Sequence, residues 1–264
     1  MSDMADLSPE SLAQLLRWYA DMGVDLAVDD EPHDRFAESQ SSAKAPPPPI
    51  QRRAAAAAPP LTALPALGEQ MAQDAAKAQT LDDLRARLLA FEGCGLKATA
   101  TQLVFADGNP EADIMFVGEA PGADEDRIGR PFVGRAGQLL DKMLASIGLD
   151  RSKVYIANVV PWRPPGNRTP TPLETGACLP FTRRQIELVA PKVLICLGAP
   201  SMQTLLGVKE GIMRSRGRWM DYDRGGTIIP AMAMLHPAYL LRQPSHKKFA
   251  WQDLRELARK MRDV

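Results

Sequence analysis

The chain has 264 residues, of which 45% are hydrophobic, so it can bury one sizeable core and a small second element. Lysine plus arginine and aspartate plus glutamate each number 32, and this balance neither indicates nor excludes a nucleic-acid partner. The chain has no apolar run of roughly 18 residues and begins without a signal peptide, so we expect a cytoplasmic protein that does not enter a membrane.

The N-terminal part of the chain divides into a helix and a linker. A Ser-Pro-Glu-Ser helix start at Ser8 and leucines on one face predict an amphipathic helix up to Met22, within a segment 1–36 that ends in an acidic tail. Residues 37–66 are rich in proline and alanine, and such a composition buries too little apolar surface to become ordered. We predict a tethered helix on a disordered linker, and the helix is either an inert appendage or the binding site of a protein partner.

Residues 67–264 are predicted to form one α/β domain. A helical pattern from Leu67 to Phe91, with a capping start at Thr80, opens it. Four apolar runs follow that are typical of buried strands: Ile114 to Val117, Val154 to Val160, Val193 to Leu197 and Thr227 to Met234. Helical patterns alternate with them: Ala136 to Ile147, Pro172 to Leu188, Pro200 to Leu206 and Lys248 to Met261. This alternation predicts a three-layer α/β/α sandwich around a central four-stranded parallel sheet.

The loop after the first predicted strand is rich in glycine, proline and acidic residues. Its opening, Gly118-Glu-Ala-Pro-Gly122, is neither a Walker loop nor a dinucleotide-binding fingerprint, so the glycines alone indicate little. Loops at the carboxyl ends of parallel strands, however, are where ligands bind in open α/β sheets.

Polar residues follow several strands and should meet at that same edge. Glu119 follows the first strand, Asn158 the second and His236 the fourth, and Phe132 lies in the first loop. An asparagine matches the edge of a nucleobase, a phenylalanine offers a stacking face, a histidine can bond a leaving oxygen, and a glutamate can hold a water. Each residue alone is more often structural, but their convergence indicates a site.

Four separated motifs, in this order, resemble those of the family 4 uracil-DNA glycosylases. They are Gly118-Glu-Ala-Pro-Gly122, Gly129-Arg-Pro-Phe-Val-Gly-Arg-Ala-Gly-Gln-Leu-Leu140, Asn158 ahead of Arg163-Pro-Pro-Gly-Asn-Arg-Thr-Pro170, and His236-Pro-Ala-Tyr-Leu-Leu-Arg242. The match covers roughly residues 90 to 258 and leaves the N-terminal third outside it.

The resemblance implies a monofunctional DNA-repair glycosylase that flips deoxyuridine out of DNA and hydrolyses its N-glycosidic bond, leaving uracil and an abasic site. It implies that His236 stabilises the departing uracil anion and that Glu119 lies in the catalytic loop. The better-known branch of the superfamily carries an aspartate where this chain has Ala120. Water placement therefore falls to Glu119 or to backbone groups.

The resemblance also implies how uracil is held, while contacts to the rest of the DNA are inferred separately from the residues near the site. Uracil binding is expected from Gly118, Ala120, Phe132 as the stacking ring and Asn158 as the reader of the base edge. Phosphate contacts are expected from Arg163, Arg168 and Arg242, although each could equally be a solvated surface cation. Leu240 or Leu241 is expected to wedge into the vacated base stack.

The cysteines depart from the family pattern. Family members hold a four-iron four-sulfur cluster through four cysteines, and the matching positions here are Phe91, Cys94, Trp162 and Cys178. Two thiolates are too few for such a cluster, so we predict no cofactor, with the two aromatic rings filling its volume. Cys196 lies inside a predicted strand and is expected to be a small buried hydrophobe.

Two other functions stay open at this stage. The first is a catalytically weak module that binds damaged DNA, which the lost cluster ligands and Ala120 would suit. The second is a branch that becomes covalently trapped on its abasic product, but those relatives insert a basic loop with a histidine after the Phe-Val-Gly segment, and this chain continues without one. We expect a monomer, since a base-flipping enzyme of this size needs no symmetric partner.

Overall fold

The computed structural model of the protein describes Ala13 and residues 71–262. The predicted N-terminal helix, apart from Ala13, and the predicted linker 37–66 lie outside the described residues, so both stay predictions. Across residues 71–262, none of the helices has the length and apolar character needed to cross a membrane.

A six-stranded sheet forms the centre of the described domain. In chain order its strands are β1 (Asp107–Gly108), β2 (Ile114–Gly118), β3 (Tyr155–Asn158), β4 (Val193–Leu197), β5 (Trp219–Asp223) and β6 (Ile228–Met234). They lie in the spatial order β1-β3-β2-β4-β6-β5. Strands β3, β2, β4 and β6 run parallel, which confirms the four predicted core strands, while β1 and β5 pair antiparallel at the two edges.

The two edge strands escape prediction because neither has a buried apolar pattern. β1 has only two residues, one of them glycine. In β5 two of the five residues are aspartates, and Tyr222 is the one buried side chain. An edge strand pairs with a neighbouring strand on one side only, so its sequence needs little of the apolar character that marks a central strand.

Eight α-helices follow one another within residues 81–260. They are α1 (Leu81–Ala90), α2 (Ala123–Ile128), α3 (Arg135–Ala145), α4 (Pro172–Val189), α5 (Ala199–Leu206), α6 (Ile212–Ser215), α7 (Pro237–Arg242) and α8 (Lys247–Lys260). The helical patterns predicted after each strand correspond to α3, α4, α5 and α8. The pattern predicted from Leu67 to Phe91 is interrupted, because residues 71–76 are helical and a separate helix starts at the Thr80 cap, whose hydroxyl accepts the Asp83 N–H at 3.1 Å.

Successive residues of the central strands point to opposite faces of the sheet, and each face is covered by helices. Met115 and Val117 of β2 belong to a core with apolar residues of α1, α4 and α5. Ile114 and Phe116 belong to a second core with residues of α3, α7 and α8. The domain is thus the predicted three-layer α/β/α sandwich, and the carboxyl ends of its four parallel strands share one edge.

Glycines in two helices should respond in opposite ways to alanine. A Cβ on Gly137 in α3 would lie 1.6 Å from the Phe132 carbonyl oxygen, a backbone atom that cannot easily move aside. Gly137→Ala should therefore lower the free energy of unfolding by about 1–3 kcal/mol. Gly176 in α4 has no neighbour within 4 Å of such a Cβ, so Gly176→Ala should be neutral or stabilise by up to about 1 kcal/mol. Urea unfolding measures both, and equal destabilisation by the two variants would contradict this packing.

Candidate active site

A cleft of about 560 Å³ opens at the carboxyl edge of the parallel strands. Glu119, Phe132, Asn158 and His236, which the sequence predicts to converge, all line it. Each comes from a different segment: the ends of β2 and β3, the loop between α2 and α3, and the start of α7. The parallel strands bring these segments together, because the residues that follow them emerge at one edge.

At the floor of the cleft, the side chains of Asn158 and Phe132 lie close to the backbone of Gly118. This residue ends β2 and pairs in register with Asn158 at the end of β3. A Cβ on Gly118 would lie 2.4 Å from the Asn158 side-chain oxygen and 2.7 Å from the Phe132 ring, so only glycine lets these two side chains meet there. Asn158 is buried, and within residues 71–262 its carboxamide forms no hydrogen bond with another protein group. The amide is therefore free to bind a ligand.

Phe132 and His236 form one wall of the cleft. Their ring centroids lie 5.4 Å apart with an angle of 30° between the planes. Phe132 is buried and has a left-handed backbone with φ of 55°, which is uncommon for a bulky residue. Gly198, which sequence reasoning passed over as a site residue, lies behind the imidazole, since its Cβ would be 3.2 Å from that of His236.

His236 is held as a neutral imidazole. It caps the N-terminus of α7, where its Nδ1 accepts the Ala238 N–H at 3.1 Å. An Nδ1 that accepts a hydrogen bond carries no proton, so the proton of the neutral ring sits on Nε2. Burial, together with the positive charge of Arg242, lowers the pKa of His236 to about 4. At neutral pH the ring is therefore a hydrogen-bond donor through Nε2.

Glu119 carries a partly desolvated carboxylate. Its Oε1 is buried and has no hydrogen-bond partner among the described residues. Burial raises the pKa of Glu119, and a hydrogen bond with the Thr169 side chain offsets part of that rise. Thr169 also lines the cleft, and the sequence analysis missed it because a threonine in a proline-rich loop has no distinctive signal. The free oxygen is suited to hold a water.

The predicted phosphate-binding arginines differ in their surroundings. Arg168 lines the cleft and forms a two-pronged ion pair with Glu174 at 2.8 and 2.7 Å, which lowers the pKa of Glu174 to about 2. Arg163 lies outside the cleft lining and bonds Asn167 at 2.7 Å within the same loop. Arg242 lines the cleft, is exposed, and has no carboxylate within ion-pair distance in the described part of the chain.

The two predicted wedge residues, Leu240 and Leu241, are distinguished by their exposure. Leu240 is 1% exposed and packs in the core formed with α3 and α8. A side chain that fills the protein interior is not available to DNA, so of the two predicted alternatives the burial favours Leu241. Leu241 is 36% exposed, so it stays available. The two residues are adjacent on α7, and the packing of that short helix decides which one faces outwards.

The four positions that correspond to cluster cysteines lie together in the core beside α4. The Cys178 thiol hydrogen-bonds Cys94, and this bond lowers the pKa of Cys94 to about 7. Phe91 stacks on Trp162 with centroids 6.3 Å apart and touches Phe181 at 4.9 Å. Nowhere in residues 71–262 do three or more histidine, cysteine or acidic side chains gather as metal ligands. Two thiols beside two aromatic rings do not fit a four-iron four-sulfur cluster.

Cys196 lies apart from that pair. It is fully buried in β4, and burial raises the pKa of its thiol to about 12. The prediction that it is a small core hydrophobe is confirmed.

Comparison with known proteins assigns the chain to a family. Residues 105–255 match the model described as the uracil DNA glycosylase superfamily. The chain is 41% identical over 183 residues to the type-4 uracil-DNA glycosylase of Archaeoglobus fulgidus, an alignment that covers 68% of this chain and 92% of that one. It is 46% identical over 155 residues to the type-4 enzyme of Thermotoga maritima, covering 58% and 79% of the two chains.

A third relative, the type-4 uracil-DNA glycosylase of Sulfurisphaera tokodaii, is 38% identical over 190 residues, covering 68% of this chain and 85% of that one. The ordered motifs and the comparisons thus agree, and the chain belongs to the uracil-DNA glycosylase superfamily and, within it, to the type-4 group.

Proposed function

We propose that the protein is a monofunctional uracil-DNA glycosylase of base-excision repair, which flips uracil out of DNA and hydrolyses its N-glycosidic bond. The observation that carries this proposal is the meeting of a free carboxamide, an aromatic face and a neutral imidazole donor in one cleft, in a chain of this family. A cleft of about 560 Å³ has room for a whole flipped nucleotide rather than for the base alone.

Asn158 and Phe132 select the base in this proposal. Uracil presents an N–H donor beside a carbonyl acceptor, and a carboxamide presents the complementary acceptor and donor side by side. Cytosine presents the opposite pattern on the same edge, so the amide orientation that pairs with uracil would leave its donor and acceptor unpaired against cytosine. The Phe132 ring stacks on the base, while Gly118 and Ala120 leave room beneath it.

His236 and Glu119 carry the chemistry. When the C1′–N1 bond breaks, its electron pair leaves with uracil and positive charge develops on the sugar. The Nε2–H of neutral His236 donates to the uracil oxygen that gains negative charge, in a site where little water competes. Glu119 holds a water through its free Oε1. As that water adds to C1′, its proton passes to the Glu119 carboxylate and then through solvent to the uracil anion, giving the abasic sugar and neutral uracil.

The DNA around the flipped nucleotide is bound by three arginines, Arg163, Arg168 and Arg242, and by the apolar side chain of Leu241. Arg242 is free to contact phosphate, whereas Arg168 is oriented by Glu174 and presents its remaining surface at the cleft. Leu241, exposed on α7, fills the space that the flipped base leaves.

We further infer that the protein works without an iron–sulfur cluster and that Phe91 and Trp162 replace coordination by apolar packing. A monomeric state, a cytoplasmic location and a protein partner for the N-terminal helix remain predictions. Loss of the cluster ligands also favours the alternative of a catalytically weak damage-binding module, which the first experiment below distinguishes.

An oligonucleotide with one uracil tests the activity directly. After incubation and alkali treatment, the wild-type chain should cut the strand at uracil. His236→Ala should lower kcat by about 10²–10³-fold, because the departing anion loses its donor, and Glu119→Ala should lower it because the water loses its support. Tight binding to the uracil strand without cleavage would favour the damage-binding module. Parallel strands with hypoxanthine or xanthine measure how selective the cleft is.

The pH dependence of kcat/KM tests the two protonation states. Because the pKa of His236 is lowered to about 4, the ring stays neutral through pH 6.5 and the profile should have no step at that pH. Because burial raises the pKa of Glu119 above its ordinary value of 4.5, activity should fall on the acid side as this carboxylate protonates. In Glu119→Gln the acid limb should move down to the His236 pKa of about 4. A step near pH 6.5 that is absent from His236→Gln would contradict the neutral imidazole.

Iron analysis tests the cofactor inference. Wild-type protein purified without oxygen should be colourless and contain no stoichiometric iron. The double variant Phe91→Cys with Trp162→Cys restores four cysteines and should take up about four irons per chain on anaerobic reconstitution. The matched control, Phe181→Cys with Trp162→Cys, places one thiol outside the family pattern and should take up less. A brown wild-type protein with about four irons would overturn the inference.

A further inference from the structure

The turn that carries Phe132 is held on one side by a buried carboxylate. Glu125, in α2, is 9% exposed. Its Oε1 accepts the N–H groups of Val133 and Gly134, each at 2.9 Å, and its Oε2 accepts the N–H of Gly122 at 3.1 Å. One anion thus binds the N–H side of the Phe132 turn to the glycine loop that follows β2.

The same turn is held on its carbonyl side by a cation. The Arg151 guanidinium donates to the Phe132 carbonyl and, at 3.2 Å, to the Pro131 carbonyl. Arg151 is itself fixed by two carboxylates, Asp141 at 2.8 Å and Asp107. Its side chain is 25% exposed and it does not line the cleft. A guanidinium has enough donors in a fixed plane to bond all four partners at once.

Phe132 needs such support because its backbone is left-handed. A φ of 55° is disfavoured for a large side chain, and relaxation to negative φ would swing the ring away from Gly118 and His236. The Phe132 carbonyl also packs against Gly137, where a Cβ would come within 1.6 Å. The ring therefore faces the cleft only while its carbonyl stays where Arg151 holds it.

We propose that Arg151 is a positioning residue for base recognition, which holds the Phe132 carbonyl and thereby sets the ring on which uracil stacks. This inference rests on the proposed function of the cleft. In this inference Arg151 contacts neither the base nor the DNA, and it affects base binding only by positioning Phe132. Loss of Arg151 therefore weakens the binding of the flipped base more than it slows the bond-breaking step.

Arg184 provides a matched control for loss of an arginine. It bonds a backbone carbonyl, that of Ala78, at 3.0 and 2.7 Å, and it pairs with Glu187. Its side chain is 23% exposed, close to the value for Arg151, and it is not among the residues that line the cleft. A merely structural arginine at this level of burial should behave like Arg184.

The experiment compares Arg151→Met, Arg151→Lys and Arg184→Met on the uracil oligonucleotide, with Tm measured for each. Arg151→Met should raise KM about tenfold and change kcat less than about threefold, whereas Arg184→Met should lower Tm without raising KM. Arg151→Lys should recover part of the loss, because its ammonium can still donate to the Phe132 carbonyl. In a Phe132→Ala background, Arg151→Met should add less than about twofold, since the ring through which it acts is gone.

Equal KM effects of Arg151→Met and Arg184→Met, or full additivity with Phe132→Ala, would overturn the inference. If Arg151→Met does not fold, the KM values of Arg151→Lys and Arg184→Lys are compared instead, and equal effects would again overturn the inference. A non-cleavable strand containing 2′-fluoro-deoxyuridine separates the two proposals. A wild-type chain that binds this strand but releases no uracil from the cleavable oligonucleotide contradicts the proposed activity alone, and the ratio of binding constants between the arginine variants still tests Arg151.

Discussion

The whole site depends on the parallel pairing of β2 with β3, which sets Gly118 beside Asn158. Since no side chain projects from Gly118, the Asn158 carboxamide and the Phe132 ring can both lie against its backbone. Any Cβ there would push both groups apart and close the floor of the cleft. The floor of the cleft therefore depends on glycine at the end of β2, and the tightly packed core around the sheet keeps that strand end in place.

The charges of the cleft are arranged so that its reactive groups need little rearrangement. His236 uses Nδ1 to cap α7 and is left with one donor, while burial keeps the ring neutral. Glu119 keeps one oxygen free of protein partners. Polar groups that are already oriented and poorly hydrated interact strongly with charge that develops in a transition state. Thr169, whose side chain hydrogen-bonds Glu119, lies in a different segment, the loop between β3 and α4.

The core beside α4 is built on aromatic rings at the positions where the sequence departs from the cysteine pattern. Phe91 contacts both Trp162 and Phe181, and these rings belong to the same buried core as Cys94 and Cys178. Aromatic rings bury a large apolar area and stabilise each other through offset and tilted contacts. These contacts join the segment after α1 to α4.

The sequence by itself determined the four parallel strands, the helices that follow them and the convergence of Glu119, Phe132, Asn158 and His236, because apolar runs, helical periodicity and motif order are local properties. Only the tertiary structure decided which neighbour of the pair Leu240 and Leu241 is exposed, that two short edge strands complete the sheet, and that Arg151 reaches Phe132. These depend on packing between distant segments, where a side chain's partner is fixed by the fold around it rather than by its neighbours in the chain.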